Sequence, residues 1–419
     1  MQIQKTIFLL VIPFLICSGK TKPYTISDCI DYAHRNSPTL KKELLNSEDA
    51  MLNHVIAKAT LAFGVNYASS YTLGAEKQGN DLTLTKKFID GSTVSVGGNL
   101  DNEFDDDSDS SSVSVKISKQ ILGGGGWLET SNAIDDTFID QTIALNKISK
   151  AKRNIGFQVK RSFYNLIRDY QSLSIQERRL ERAKKNLEHA IEREKPQDII
   201  TAQIEIPENE LALVRAKSGI EQKLDSLKSL IGMPMSEEIS IDTAFEYKIF
   251  NTDLERDMNF SINQHEDFLN NQLEITKLQA DQVVSKQNIL PDVSLSATHT
   301  DKSMGDGFNL KGEDEQIISL DFSWQLGSTT DIAKYKKKLN EIRNTEIDLY
   351  ILTQEKSRKL KDLHRKLLQT EQSIELQDQR VSFTEKQVAL FQDRWANGEI
   401  DILELVRSQN SLEDAKVNL

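Results

Sequence analysis

Ile317-Ile318-Ser319-Leu320-Asp321-Phe322-Ser323-Trp324-Gln325-Leu326 (residues 317–326) alternates between apolar and polar residues from Ile318 onward. Successive side chains of an extended strand point to opposite faces. Ile318, Leu320, Phe322, Trp324 and Leu326 therefore share one face, and Ser319, Asp321, Ser323 and Gln325 the other. A sheet laid on a soluble core shows the same pattern, so the neighbours decide. Asp292 to Thr300 (DVSLSATHT) repeats the alternation, and about ten residues is what a tilted strand needs to cross a bilayer. After Gly327 a helical pattern begins that runs longer than an ordinary globular domain requires. The reading is a membrane strand pair mounted on long helices.

Composition points the same way. Charged residues make up 28% of the 419, aromatics only 7%, and there are 7 prolines, a balance closer to long paired helices than to compact cores. A formal charge of -12 argues against a nucleic-acid partner, because phosphate binding requires a basic surface.

The first residues read as a secretory signal over 1–19. Lys5 is the basic flank, Thr6 to Ile16 the apolar core, and Cys17-Ser18-Gly19 supplies small residues for cleavage. The apolar run is too short for a membrane anchor. Cys17 as a lipidated cysteine is the alternative, with the bulky Ile16 against it. Cys29 is then the only or nearly the only thiol, so no disulfide framework is expected. With no later transmembrane helix in the pattern, entry into a membrane requires strands closed into a barrel, since unpaired backbone groups cannot face lipid.

Two halves present the same order of elements: a first repeat over 20–234, a connector over 235–262 and a second repeat over 263–419. One constant offset pairs Leu40 with Phe268, Phe63 with Pro291 and Val65 with Val293. The first half begins with a helix from Ile26 to about Thr60, followed by a strand at 64–73 with Val65, Tyr67, Tyr71 and Leu73 on one face. Its returning strand, 113–122, places Val113, Val115, Ile117 and Ile121 together, with Lys119 interrupting where Trp324 stands in the second half; both residue types suit a membrane interface. Between these strands, Leu82–Phe88 and Ser92–Leu100 around Asp90-Gly91 read as a hairpin. Residues 101–112 are acidic and aperiodic, an exposed loop rather than a calcium site.

Helical tracts follow at about 131–170 and 174–230, and in the second half at 330–369 and from 373 to the end, forming hairpins over 131–230 and 330–419. Ile374, Val381, Val388 and Trp395 stand seven apart, as do Leu173, Leu180 and Leu187, which supports paired packing. Lys195-Pro196-Gln197-Asp198 and Ala396-Asn397-Gly398-Glu399 each place a break or bend in the outgoing helix. On these boundaries Phe163–Ser174 and Leu367–Ile374 are the hairpin turns.

Groups that would carry catalysis are missing. The six histidines are dispersed, no H-E-x-x-H or C-x-x-C occurs, and Gly123–Gly126 lacks the Lys-Ser/Thr of a phosphate loop, so it reads as a strand-to-helix hinge. The expectation is a non-enzyme without cofactor or metal.

In order, the pieces resemble the TolC-like outer membrane efflux protein family over essentially the whole length after the signal. They are Tyr24–Ile30 with Asn36–Leu40; Ile289–Leu295; Lys119–Gly124; Val159 with Phe163–Ile167; the Leu230–Pro234 stop; and Trp395–Gly398 with Asp401–Val406. Departures are Phe63 where the family's Leu-Pro step has proline, the extra hairpin, and a last helix half as long as its counterpart, which reads as clipped.

The resemblance implies a mainly α chain with membrane β: long antiparallel helical hairpins forming an α-barrel, and four strands per subunit in a trimeric twelve-stranded β-barrel, built from two structural repeats. It implies a homotrimer in the outer membrane with helices projecting into the periplasm, a passive exit duct of a tripartite efflux pump or type I secretion system. Its partners would be a periplasmic adaptor (membrane fusion protein), an inner-membrane pump and outer membrane lipid. It also implies tips that constrict the tunnel through polar links between hairpins, for which Arg168, Asp169, Tyr170, Arg365 and Glu371 are the candidates. Ile318, Leu320, Phe322 and Trp324 are the expected lipid-facing residues. A soluble periplasmic coiled-coil scaffold or adaptor is the rival.

Overall fold

The computed structural model describes residues 23–72, 77–103, 110–123, 127–245, 252–304 and 313–418. The secretory segment with Cys17, the centre of the acidic loop, Leu73 and Gly124–Gly126 lie outside the described residues. The elements in chain order are α1 (Ile26–Asn36), α2 (Pro38–Ala59), β1 (Phe63–Thr72), β2 (Lys77–Lys87), β3 (Ser92–Glu103), β4 (Ser110–Leu122), α3 (Trp127–Glu192), α4 (Pro196–Ile231), α5 (Leu254–Gln264), α6 (Glu266–Gln287), β5 (Asp292–Met304), β6 (Glu313–Ser323), α7 (Thr329–Ala396) and α8 (Ile402–Asn418). They fall into two compact units: the described parts of 1–38, 154–248 and 375–419, and of 39–153 and 249–374.

The second unit holds one six-stranded antiparallel sheet in the order β1-β2-β3-β4-β5-β6. The hairpin expected at 82–100 is β2 and β3, and it lies within the sheet between β1 and β4, so this chain contributes six strands rather than four. The β4–β5 pairing joins the two halves of the sequence. β6 begins and ends earlier than the 317–326 alternation suggests, which leaves Trp324 just past its end: the chain turns there, with Ser328 N–H donating to the Gln325 carbonyl. Gly123, at φ +90°, closes β4 where a Cβ would come within 2.3 Å of Asp292 Oδ1; the first glycine of the run is a close-approach position. In the same unit, α3, α6 and α7 are laced by polar pairs, among them Arg153–Glu266 at 2.7 Å, Lys277–Asp140 at 2.9 Å and Lys338–Asp281 at 3.0 Å.

The first unit is a conventional helical core. Ile155, Val159, Phe163, Leu166 and Ile167 of α3 are buried at steps of three and four, the stripe of a helix pressed against neighbours. Thr25 caps α1 in a capping box with Asp28. Gly232 ends α4 at φ +77°, beneath the Asn36 carbonyl, where a Cβ would fall 2.3 Å from the oxygen.

The helix boundaries differ from those expected. The first helix is broken at Ser37-Pro38, because proline pushes the residue before it out of the helical region. More consequentially, α3 and α7 run unbroken through 163–174 and 367–374. Neither segment contains Gly or Pro, and the apolar stripe continues across the first. The chain reverses at Arg193-Glu194-Lys195 and between Ala396 and Ile402 instead. Pro196 and Gly398 mark those places as true ends rather than kinks in a continuing helix.

Candidate functional site

The sheet separates an apolar from a polar face over most of its area, with His299, Asp301, Gln316 and Asp314 falling on the apolar side at the loop end of β5 and β6. One face carries Phe63, Val65 and Tyr67 of β1, Leu82 and Leu84 of β2, Val94, Val96 and Leu100 of β3, Val113, Val115 and Ile117 of β4, Val293, Leu295 and Ala297 of β5, and Ile318, Leu320 and Phe322 of β6; the pairing register sets these side by side. Many are open: Ile318 is 79% exposed, Leu320 67%, Val65 66% and Phe322 65%. An exposed apolar patch of this extent belongs against lipid or another apolar surface. The opposite face is polar, with Asn66, Thr83, Thr85, Ser95, Ser114, Lys116, Thr298, Ser319 and Asp321, and Ala68 and Ile317 as exceptions. Its hydrogen bonds run between strands: Asn99 Nδ2 donates to Asp81 Oδ1 at 2.6 Å, and Ser296 and Ser319 share one at 2.8 Å.

At the helix-side ends of the strands the apolar face gives way to cations. Lys86 lies 4.9 Å from the Phe63 ring centroid and donates to the Leu61 carbonyl; Lys119 reaches Asp90 at 3.0 Å. Asp90 sits in the β2–β3 turn, where hydrogen bonds from the Ser92 hydroxyl and N–H, and then Lys119, hold its carboxyl down at about 2. With the exposed Trp324, these are residue types suited to a membrane–water boundary.

The two helix reversals pack together within the first unit. Ala190 of α3, Ala202 of α4, Trp395 of α7, and Ile402, Leu405 and Val406 of α8 form one buried cluster with Ile400. Arg193 stacks its guanidinium 4.5 Å from the Trp395 ring centroid and donates to the Ala396 carbonyl. Glu194 takes φ +54° and Gly398 φ +79°, so both reversals use left-handed residues. Below them, Asn186 donates to Gln409 at 3.1 Å and Arg182 pairs with Glu413 at 2.5 Å. Lys195-Pro196 and Asn397-Gly398 were the available signal for these sites; each resembles a kink until the preceding helix is known to be continuous.

The residues expected at the hairpin turns lie inside the continuous helices α3 and α7. Asp169 of α3 binds Arg168 at 3.1 Å and also Lys223 of α4, linking two helices of the same chain, and Tyr170 is half-buried with its phenol pKa pushed up by desolvation. Arg365 pairs along its own helix with Asp362 at 3.1 Å. Glu371 is half-buried within α7. The first three and the last two belong to different units.

Cys29 is a buried free thiol, its pKa raised to about 11 chiefly by desolvation. Among the described residues, one trio that could hold a metal is His299, Asp301 and Asp314, with ligand atoms within 4.8 Å of one another at the loop end of β5 and β6. Exposed acidic groups of this kind are common without an ion. Among the described residues no helix is long and apolar enough to cross a membrane.

No protein-family model matches the chain, nor does any curated protein sequence. Solved structures do. The outer membrane protein VceC of Vibrio cholerae superposes with a TM-score of 0.73 at 14% identity, over 94% of this chain and 91% of that one. The chain has the TolC-like outer membrane channel fold. CusC, whose structures describe transmembrane channel formation, matches with a TM-score of 0.70 at 12% identity over 94% and 87% of the two chains. The Campylobacter jejuni outer membrane channel CmeC matches at 0.69 and 14% over 94% and 81%. Identities this low establish the TolC-like fold alone.

Proposed function

We propose that this chain is one subunit of a passive outer membrane exit duct. The observation that carries the proposal is the six-stranded sheet with a broad exposed apolar band on one face, a polar opposite face and, among the described residues, two edge strands, β1 and β6, without a partner on their outer side. In lipid such edges must be closed by other strands, so copies of the chain would complete a barrel. The resemblance makes the assembly a trimer of two-repeat subunits, with helices in the periplasm and the energy supplied by an inner-membrane pump through a periplasmic adaptor. Cargo would be small molecules or polypeptide. The α3–α4 and α7–α8 reversals would form the tips, and any constriction would lie there.

Fractionation of cells tests this reading: recovery with the outer membrane is expected, and recovery as a soluble periplasmic protein would favour the scaffold alternative. Conductance of the purified assembly tests the revised tips. Replacing Asp169 and Arg365 by Ala is expected to leave it unchanged, whereas a rise would return those residues to the gate.

A further inference from the structure

We propose that the β2–β3 hairpin is a structural part of the barrel wall, so that three copies close an eighteen-stranded barrel rather than a twelve-stranded one. The inference rests on the duct reading above and concerns the strand count and bore, not the localisation.

Three observations converge on it. First, β2 and β3 pair with their neighbours along their full lengths, from Phe63↔Lys86 to Thr72↔Lys77, from Lys77↔Glu103 to Lys87↔Thr93, and from Ser92↔Lys119 to Asp101↔Ser110. β1 and β4 are thereby separated by two strands, and no route closes the wall without them. Second, the hairpin obeys the same inside–outside rule as the rest. The row Val65, Leu84, Val96, Val115 is apolar across four strands, while the adjacent row Asn66, Thr83, Gly97, Ser114 carries no apolar side chain on the same four. A soluble flap laid over the barrel has no reason to keep this phase; a strip of wall must, because a one-residue slip would turn every apolar side chain into the lumen. Third, inserting two strands preserves direction. β1 and β6 remain antiparallel across the meander, so β6 of one copy can pair with β1 of the next.

Six strands are too few to close alone, since small barrels need about eight. Barrel diameter grows roughly linearly with strand number, so eighteen strands widen the bore about 1.5-fold over twelve and roughly double its cross-section. The hairpin also brings Asp81, Thr83, Thr85, Lys87, Thr93, Ser95 and Asn99 to the polar side, a hydrated lining for the added circumference.

The test uses the full-length protein in detergent or nanodiscs. An electron cryomicroscopy map of the trimer is expected to count eighteen strands in the wall; twelve strands, whether from a trimer with the hairpin outside or from a dimer, would overturn the inference. In a background with both native cysteines replaced, Thr83→Cys and Ser95→Cys are expected to react with a water-soluble maleimide through the lumen, while Leu84→Cys and Val96→Cys react only with a lipid-soluble one. Equal water accessibility of all four would place the hairpin outside the wall. Deleting Lys77–Glu103 is expected to reduce the wall to twelve strands in the same map, and a wall unchanged in strand number contradicts the proposal; should the deletion not assemble, the map of the full chain and the cysteine pattern decide. A protein that never enters the membrane refutes the duct reading itself, whereas a membrane channel with twelve strands refutes only this inference.

Discussion

The sheet and the helical reversals solve opposite problems. In the reversals apolar residues turn inward: Trp395, Ile402 and Leu405 are buried among the ends of four helices. In the sheet they turn outward, with Leu320, Phe322 and Val65 left open on one broad face. The first arrangement is stable in water because apolar area is removed from it. The second, on the proposed reading, is stabilised where the surroundings are themselves apolar. Substitutions should therefore have opposite sensitivities in the two regions, and the largest effects test that contrast most sharply.

Phe163→Ala in the buried stripe of α3 is expected to cost about 3 to 5 kcal/mol, read as a loss of thermal stability; a negligible change would mean that the stripe is not a core. Arg168→Pro, inside the same helix, should cost about 3 kcal/mol or more, whereas a turn at 170 would tolerate it. On the sheet, Leu320→Arg is expected to cost about 2 to 4 kcal/mol near the bilayer midplane and to reduce assembly, while Ser319→Arg on the polar face assembles. Equal damage from both would erase the distinction between the faces.

A smaller effect concerns protons. Burial of Asp136, together with the nearby Asp281 carboxylate, raises its pKa to about 6 from an ordinary value of 3.8. A raised carboxyl pKa favours the protonated folded state, so stability falls as pH rises from about 4 to about 6 and stays lowered above. Asp136→Asn is expected to flatten that part of the pH–stability profile, and an unaltered slope would assign it to other groups. Smallest of all, Glu194→Gly should stabilise by a few tenths of a kcal/mol up to about 1, because the strain of a left-handed non-glycine residue slightly exceeds the entropy cost of glycine. Chemical denaturation would detect it, and a clear destabilisation would mean that the Glu194 side chain has a partner of its own.

The sheet was readable because its signal is local. Period-two alternation marks a strand within a few residues, and each of the six strands, including the hairpin around Asp90-Gly91, overlaps a stretch that alternation and turn residues mark. Ends were less legible: Trp324 continues the alternation of β6 but lies past it, because a turn at Gln325–Ser328 interrupts the strand without interrupting the pattern. The helical reversals were harder still. Periodicity says that a segment is helical but not where a helix of 66 or 68 residues stops. A hairpin divided at its midpoint is a reasonable guess, yet α3 is far longer than α4. The punctuation was present at Pro196 and Gly398. Its meaning depends on tertiary packing around Trp395, which no local pattern reports.

Site-directed spin labelling at consecutive positions 317 to 323 in lipid bilayers tests the account most directly. Labels at 318, 320 and 322 are predicted to be accessible to oxygen and shielded from a water-soluble nickel complex, with the reverse at 319, 321 and 323, giving two accessibility profiles of period two in opposite phase. Profiles in phase with one another, or water accessibility at every position, would contradict a lipid-facing wall.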